Sequence, residues 1–321
     1  MLAILKTIRP LNLFIIALVQ FLIRYCIIMP AYQAEYLSTK VFPEHLSKIE
    51  FALLVFATVV IAAGGNIIND VFDTTTDAVN KPGKNLIGVK ISERTATLAS
   101  YSFFLLGSFA GIGLGIKNNL FAISLLFPFS ALTLYMYSSY YKKRLLIGNV
   151  LIALLSAFTI LITGLFEPHY FSTISIWLRG SEQMTWISGA AIIMVYSLFA
   201  FLLSLIRELI KDAEDVDGDE RAQCKTFPVL FGTVKTKILI SAITVITICI
   251  IGFFLFYFFA HNTEVNVYYL LATFFIPFAA LLYLIINASE KKDFYYASVF
   301  SKAIMLMGIL SMVPFYYVFL R

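Results

Sequence analysis

Nine apolar stretches fill most of this sequence, each long enough to cross a bilayer as a helix. They run at about 10–30, 49–69, 96–116, 119–139, 147–166, 187–208, 236–260, 266–287 and 301–320. No water reaches the hydrocarbon core to satisfy backbone amides and carbonyls, so a chain that crosses repeatedly does so as helices or as a closed barrel. Continuous apolar runs of this length select helices. The expected fold class is all-α: a polytopic membrane protein of nine transmembrane helices, read as a single domain over residues 1–321. Composition agrees, because 60% of residues are hydrophobic and only 13% charged, with a mean hydropathy of +0.87, against roughly 25% charged residues in soluble domains. The first run follows Lys6 and Arg9 but continues to Met29 without a small-residue cleavage site. It reads as a retained span rather than a signal peptide.

Most of the 24 basic residues fall on one side of this nine-span arrangement, among them Lys6, Arg9, Lys81, Lys84, Lys142, Lys143, Arg144, Arg207, Lys211 and Lys225. The positive-inside rule makes that side cytoplasmic, with the N-terminus inside and the C-terminus outside. The expected location is the cell's inner (plasma) membrane. Cys26, Cys224 and Cys249 form no close pair, and His45, His169 and His261 never pair at helical spacing. A zinc site, a disulfide framework and haem ligation are therefore not expected.

One acidic pattern is written twice. Asp70, Asp73 and Asp77 stand in NDVFDTTTD, and Asp212, Asp215 and Asp219 in KDAEDVDGD, each at the end of an apolar run. Offsets of three and seven place three side chains on one helix face, so each copy is expected to form a claw of oxygens. A charge within reach of the bilayer core costs about 2.5–3.5 kcal/mol on the translocon scale. Clustered carboxylates in so apolar a chain point to a multivalent cation, and hard oxygen donors completed by water and substrate phosphates suit magnesium. Asn66, one turn before Asp70, can add an amide oxygen, while Asp215 and Asp219 are the expected ligands of the second copy. Gly64 and Gly65 leave room for another helix or a phosphate. Taken alone, either segment is equally a solvated acidic helix end. An EF-hand is a poor alternative, since no glutamate closes the loop begun by Asp215, Asp217 and Gly218. Four spans separate the two copies and keep their orientation, so an internal repeat of spans 1–4 and 5–8 is a further expectation.

A diphosphate of about −3 together with six carboxylates carries more negative charge than two magnesium ions return. Basic groups must help. Lys81, Lys211 and above all Lys142 in YMYSSYYKKRLLIGN are candidates for phosphate oxygens, with Tyr137 as a hydrogen-bond donor.

These residues resemble the UbiA superfamily of intramembrane prenyltransferases. The resemblance covers nearly the whole chain. It rests on Asn66-Ile-Ile-Asn-Asp70-Val-Phe-Asp73-Thr-Thr-Thr-Asp77 for that family's first aspartate-rich motif and on Asp215-Val-Asp-Gly-Asp219 for its second. Arg9-Pro-Leu-Asn12, the tyrosines before Lys142 to Arg144, and Lys225-Thr226 support it. The resemblance implies a helical bundle around a central cavity and a Mg2+-dependent enzyme. Such an enzyme moves a prenyl group from a prenyl diphosphate donor to a lipophilic acceptor drawn from the membrane lipid. It implies Asn66, Asp70, Asp73, Asp215 and Asp219 as metal ligands, with Asp77 and Asp212 in support and Lys142 and Tyr137 on the diphosphate. The branch that prenylates geranylgeranylglyceryl phosphate is the most similar, with 4-hydroxybenzoate or menaquinone-type aromatic transfer as the alternative. A cation-coupled transporter is the rival from another class, but transporters place charge near the bilayer midplane and these acids sit at helix ends. Neither a nucleic acid nor an obligate protein partner is expected.

Overall fold

A computed structural model describes residues 6–74, 76, 86–172, 175–177, 186–261 and 274–316. Eight helical runs among them are long and apolar enough to span a membrane: Pro10–Leu37, Lys48–Phe72, Glu93–Lys117, Phe121–Ser139, Ile147–Leu165, Gly189–Glu214, Phe227–Phe254 and Lys291–Pro314. The run expected at 266–287 is represented by the shorter helix Ile276–Asn287; residues 262–273 lie outside the described residues. Four spans exceed their expected limits by six residues or more, the sixth by running on to Glu214. The first passes Pro30, which stands at the start of a new α-helical stretch, where its missing amide costs least. The seventh and ninth begin earlier than expected, at Phe227 and Lys291. Lysines such as Lys235, Lys237 and Lys292 lower hydropathy there without interrupting helical hydrogen bonding.

In chain order the helices are α1 (Pro10–Leu22), a π-helical turn (Ile23–Ile28), α2 (Met29–Thr39), α3 (Lys48–Phe72), α4 (Glu93–Lys117), α5 (Phe121–Ser124) and α6 (Leu126–Ser139). A 3-10 turn (Tyr141–Lys143) precedes α7 (Ile147–Leu165) and α8 (Pro168–Ser172). A short antiparallel hairpin then pairs β1 (Ser175–Trp177) with β2 (Trp186–Ser188), Ile176 opposite Ile187. The remaining helices are α9 (Gly189–Glu214), α10 (Val216–Arg221), α11 (Phe227–His261), α12 (Ile276–Asn287), α13 (Lys291–Leu310) and α14 (Met312–Phe315). Helix α11 is interrupted at Gly232, whose φ of 80° is accessible without strain only to glycine.

The chain divides into two compact units. The first comprises Met1–Gln20, Leu46–Leu155 and Asp215–Leu230. Its frame is the pair α3 and α4. Ser47 caps α3 in a reciprocal box with Glu50, satisfying two otherwise orphaned amides, and Glu50 also reaches Lys117 at the end of α4 at 3.1 Å. Small residues set the closeness of the pair. Ser100 Oγ donates to the Gly64 carbonyl at 2.8 Å, and Gly65 faces Leu134 of α6, so these two glycines admit neighbouring helices. At Gly107 an added Cβ would lie 2.6 Å from Ile61 Cγ1 and 2.8 Å from the Ala57 carbonyl oxygen. Gly107→Ala is therefore expected to push α3 and α4 apart and cost about 1–3 kcal/mol, read as a lower midpoint of thermal unfolding in detergent. An unchanged midpoint would mean that the helices yield without strain.

The second unit comprises Phe21–His45, Ser156–Glu214 and Phe231–Arg321. It encloses an ion pair that the sequence reading did not anticipate. Arg24 Nη1 donates to Glu167 Oε1 at 2.7 Å, with side-chain exposures of 3% and 1%. Tyr32 Oη donates to the other carboxylate oxygen at 3.2 Å and accepts from the Tyr170 amide at 3.2 Å. The Met29 amide donates to the Arg24 carbonyl five residues back, the wide π-type turn that often marks special sites in helices. Elsewhere in this unit Ser156 meets Ser204 at 2.9 Å, and Lys237 Nζ donates to the Ala288 carbonyl at 2.8 Å.

Candidate active site at the acidic helix ends

Both acidic segments were expected to present three carboxylates on one helix face. Instead, each helix stops at the middle aspartate. Asp73 is the C-terminal cap of α3, with φ −89° and ψ 0°. Asp215 stands between α9 and α10 with φ −98° and ψ 10°. Both lie in the sparsely allowed bridge region, where many active-site residues sit. The spacing argument fails because it assumes an unbroken helix. The break in the first copy falls at Asp73 itself, and the Asp215 carbonyl accepts from the Gly218 and Asp219 amides, both at 3.1 Å, to start α10 anew. Asp77 and Lys81 fall outside the described residues.

Asp70 and Asp73 of the first copy and Asp215 and Asp219 of the second belong to the first unit. Gln223 adopts a left-handed φ of 56° and ends α10, turning the chain back so that Thr226 Oγ1 donates to Asp219 Oδ2 at 3.2 Å. The next tie is to the basic loop: the Lys225 amide donates to the Lys143 carbonyl at 2.9 Å. Lys142, the neighbouring residue, places its ammonium on Asp73 Oδ2, and Asn69 Nδ2 donates to the same oxygen at 2.7 Å. Asp73 and Asp219 are both buried. Burial pushes the Asp219 carboxyl up to about 6, with the fields of Asp215 and Asp73 adding to the rise and Lys142 and Thr226 opposing it. Carboxylates of both motifs and Lys142 thus share one electrostatic environment.

The other expected residues are distributed as follows. Asp70 is paired with Arg9, Nη2 to Oδ1 at 2.5 Å. Asn66 donates its amide to the Ile8 carbonyl at 2.8 Å, so it braces the approach to α1. Tyr137 is buried near the end of α6. Lys211 and Asp212 belong to the second unit, where Lys211 lies 3.1 Å from Glu208 and Arg207 lies 2.8 Å from the same carboxylate. Two participants were not singled out from the sequence. Arg9 was visible as part of Arg9-Pro-Leu-Asn12, an arginine at the entry to the first span. Asn69 lies inside the first motif, and its Oδ1 is buried with no hydrogen-bond partner among the described residues.

Among the described residues no three acidic, histidine or cysteine side chains converge as a ready cage. Their chemistry nevertheless fits a hard divalent cation. Every donor is oxygen, and the Asn69 oxygen is buried beside Asp73 without a hydrogen-bond partner among the described residues.

The model of the UbiA prenyltransferase family matches residues 28–309. The chain belongs to the UbiA prenyltransferase family. It is an integral-membrane prenyltransferase with several spans. A digeranylgeranylglyceryl phosphate synthase of Sulfurisphaera tokodaii is 32% identical over 269 residues, 83% of this chain and 87% of that protein. The protein of the same name from Methanosphaera stadtmanae is 26% identical over 267 residues, 83% of this chain and 88% of its own. The fold is shared with a solved digeranylgeranylglyceryl phosphate synthase at a TM-score of 0.61 and 22% identity, covering 97% of this chain and 96% of that one. A UbiA homologue from Archaeoglobus fulgidus bound to GPP and Mg2+ superposes at 0.52 with 17% identity, over 97% and 99% of the two chains. These likenesses identify the predominantly helical UbiA fold.

Proposed function

We propose that this UbiA-family protein transfers a prenyl group from a prenyl diphosphate, with magnesium, to geranylgeranylglyceryl phosphate. We place it in the plasma membrane, with the acidic site and the N-terminus cytoplasmic, the C-terminus outside, and residues 1–321 as one catalytic domain. The observation that carries this reading is that Asp73, paired with Lys142, and Asp219, one from each motif, act on one another electrostatically. The acceptor assignment is supported by the name carried by its relatives from Sulfurisphaera tokodaii and Methanosphaera stadtmanae.

In this reading Asp70, Asp73, Asp215 and Asp219 hold the metal, with Asn69 and Asn66 as neutral oxygens at their side. Bound magnesium neutralises charge that builds on the departing diphosphate. The chain's own part is to orient and to balance charge. Lys142 pairs with Asp73 and its charge acts on Asp219, so its ammonium can meet a phosphate oxygen as the allylic carbon–oxygen bond lengthens. Thr226 fixes the rotamer of Asp219 and leaves its other oxygen for the cation. The tie between Lys225 and Lys143 keeps the basic and acidic loops in register.

The deciding assay supplies one labelled geranylgeranyl diphosphate to membranes with a panel of acceptors, with and without magnesium. Label entering geranylgeranylglyceryl phosphate only when magnesium is present supports the proposal; label entering only a phenolic or quinone precursor replaces the acceptor. Lys142→Ala is expected to weaken donor binding about tenfold, the worth of a charged hydrogen bond, while leaving membrane topology intact. Unchanged donor affinity removes Lys142 from the site.

A further inference from the structure

The ion pair between Arg9 and Asp70 has features that a structural strut does not need. Arg9 has a φ of 55°, a left-handed backbone that a side-chain-bearing residue adopts only under constraint, and it precedes Pro10, which disfavours helical conformations for its neighbour. The constraint is visible on both flanks. Asn66 Nδ2 holds the carbonyl of Ile8 at 2.8 Å, and the Asn12 and Leu13 amides donate to the Arg9 carbonyl at 2.9 and 3.3 Å. Asn66 and Asp70 are one turn apart on α3, so a single helix face grips the backbone before Arg9 and the guanidinium after it. Exposure separates this pair from the buried one in the second unit. The side chains of Arg9 and Asp70 are 39% and 22% exposed, against 3% and 1% for Arg24 and Glu167. The Arg9 pair is therefore not sealed inside the protein, and its guanidinium can leave Asp70 without crossing a packed interior.

We infer that Arg9 is an exchangeable counter-ion of the site. It occupies Asp70 until a divalent cation takes that carboxylate, and it then binds the diphosphate through its guanidinium fork. The inference rests on the proposed function, since it assigns Asp70 to the metal. The chemistry is coherent. A guanidinium and a divalent cation compete for one carboxylate, whereas the guanidinium and a diphosphate attract, and planar N–H pairs match phosphate oxygens. The bracing by Asn66 keeps Arg9 within reach of the site in either arrangement.

The test uses the full-length protein in detergent and two variants that tolerate a left-handed backbone, Arg9→Asn and Arg9→Gly. Magnesium alone and inorganic pyrophosphate at saturating magnesium are titrated against each, with binding read from the shift in thermal unfolding. Loss of the competing cation is expected to tighten magnesium binding about threefold, while loss of the fork weakens pyrophosphate binding about tenfold. Movement in these opposite directions supports the exchange. Parallel weakening of both ligands, no change in either, or failure of both variants to fold makes Arg9 a structural residue and overturns the inference. A wild-type protein that responds to neither ligand defeats the proposed function itself, an outcome distinct from a wild type that responds and variants that match it.

Discussion

Asp219→Asn and Asp73→Asn are each expected to lower the kcat/KM of prenyl transfer by about 10²-fold or more, with folded protein still present in the membrane. The amide keeps the size of the side chain, and its oxygen can still accept from Thr226 at position 219 or Lys142 at position 73. It loses the charge that a divalent cation needs. Stability is expected to move the other way at position 219. Burial and the fields of Asp215 and Asp73 hold the Asp219 carboxyl up near 6, so removing its charge relieves repulsion, a trade of stability for activity common at functional sites. Labelled-donor turnover and thermal unfolding measured on the same preparations check both directions. Near-normal turnover in either variant would remove the two-motif site.

The second large effect concerns folding. Arg24→Leu or Glu167→Gln is expected to destabilise the protein by about 3–5 kcal/mol, because each leaves the opposite member of a buried pair with its charge uncompensated. Replacing both, Arg24→Leu with Glu167→Leu, is expected to recover most of that loss, since a buried ion pair recoups little more than its own desolvation. Reversible unfolding of the detergent-solubilised variants in denaturant measures the cycle, with Tyr32→Phe as a smaller perturbation of the same carboxylate. If Glu167→Gln unfolds at the wild-type midpoint, the pair contributes nothing to the second unit.

The membrane class and most span positions were legible because a bilayer imposes its thickness on every crossing segment. The acidic motifs were legible as well, since charge in an apolar chain is costly and its repetition is not accidental. What failed was the inference from spacing to a single helix face, because it could not see that α3 ends at Asp73 or that α10 starts afresh after Asp215. Arg9 and Asn69 were overlooked for a related reason. Their importance lies in partners 61 and 4 residues away, and only the pairing with Asp70 and the buried oxygen beside Asp73 single them out from other polar residues at helix ends. Arg24 and Glu167, 143 residues apart, carry no local pattern whatever.

The sequence by itself determined that this chain crosses a membrane repeatedly as helices and carries two sets of carboxylates suited to a divalent cation, because hydropathy and charge act locally and are written residue by residue. Tertiary structure alone decided that Lys142 pairs with Asp73 within the field of Asp219, that Arg9 pairs with Asp70, and that Arg24 finds Glu167. Each of those contacts depends on where a helix stops and which distant segment packs against it, and that is set by packing over the whole unit rather than by any spacing along the chain.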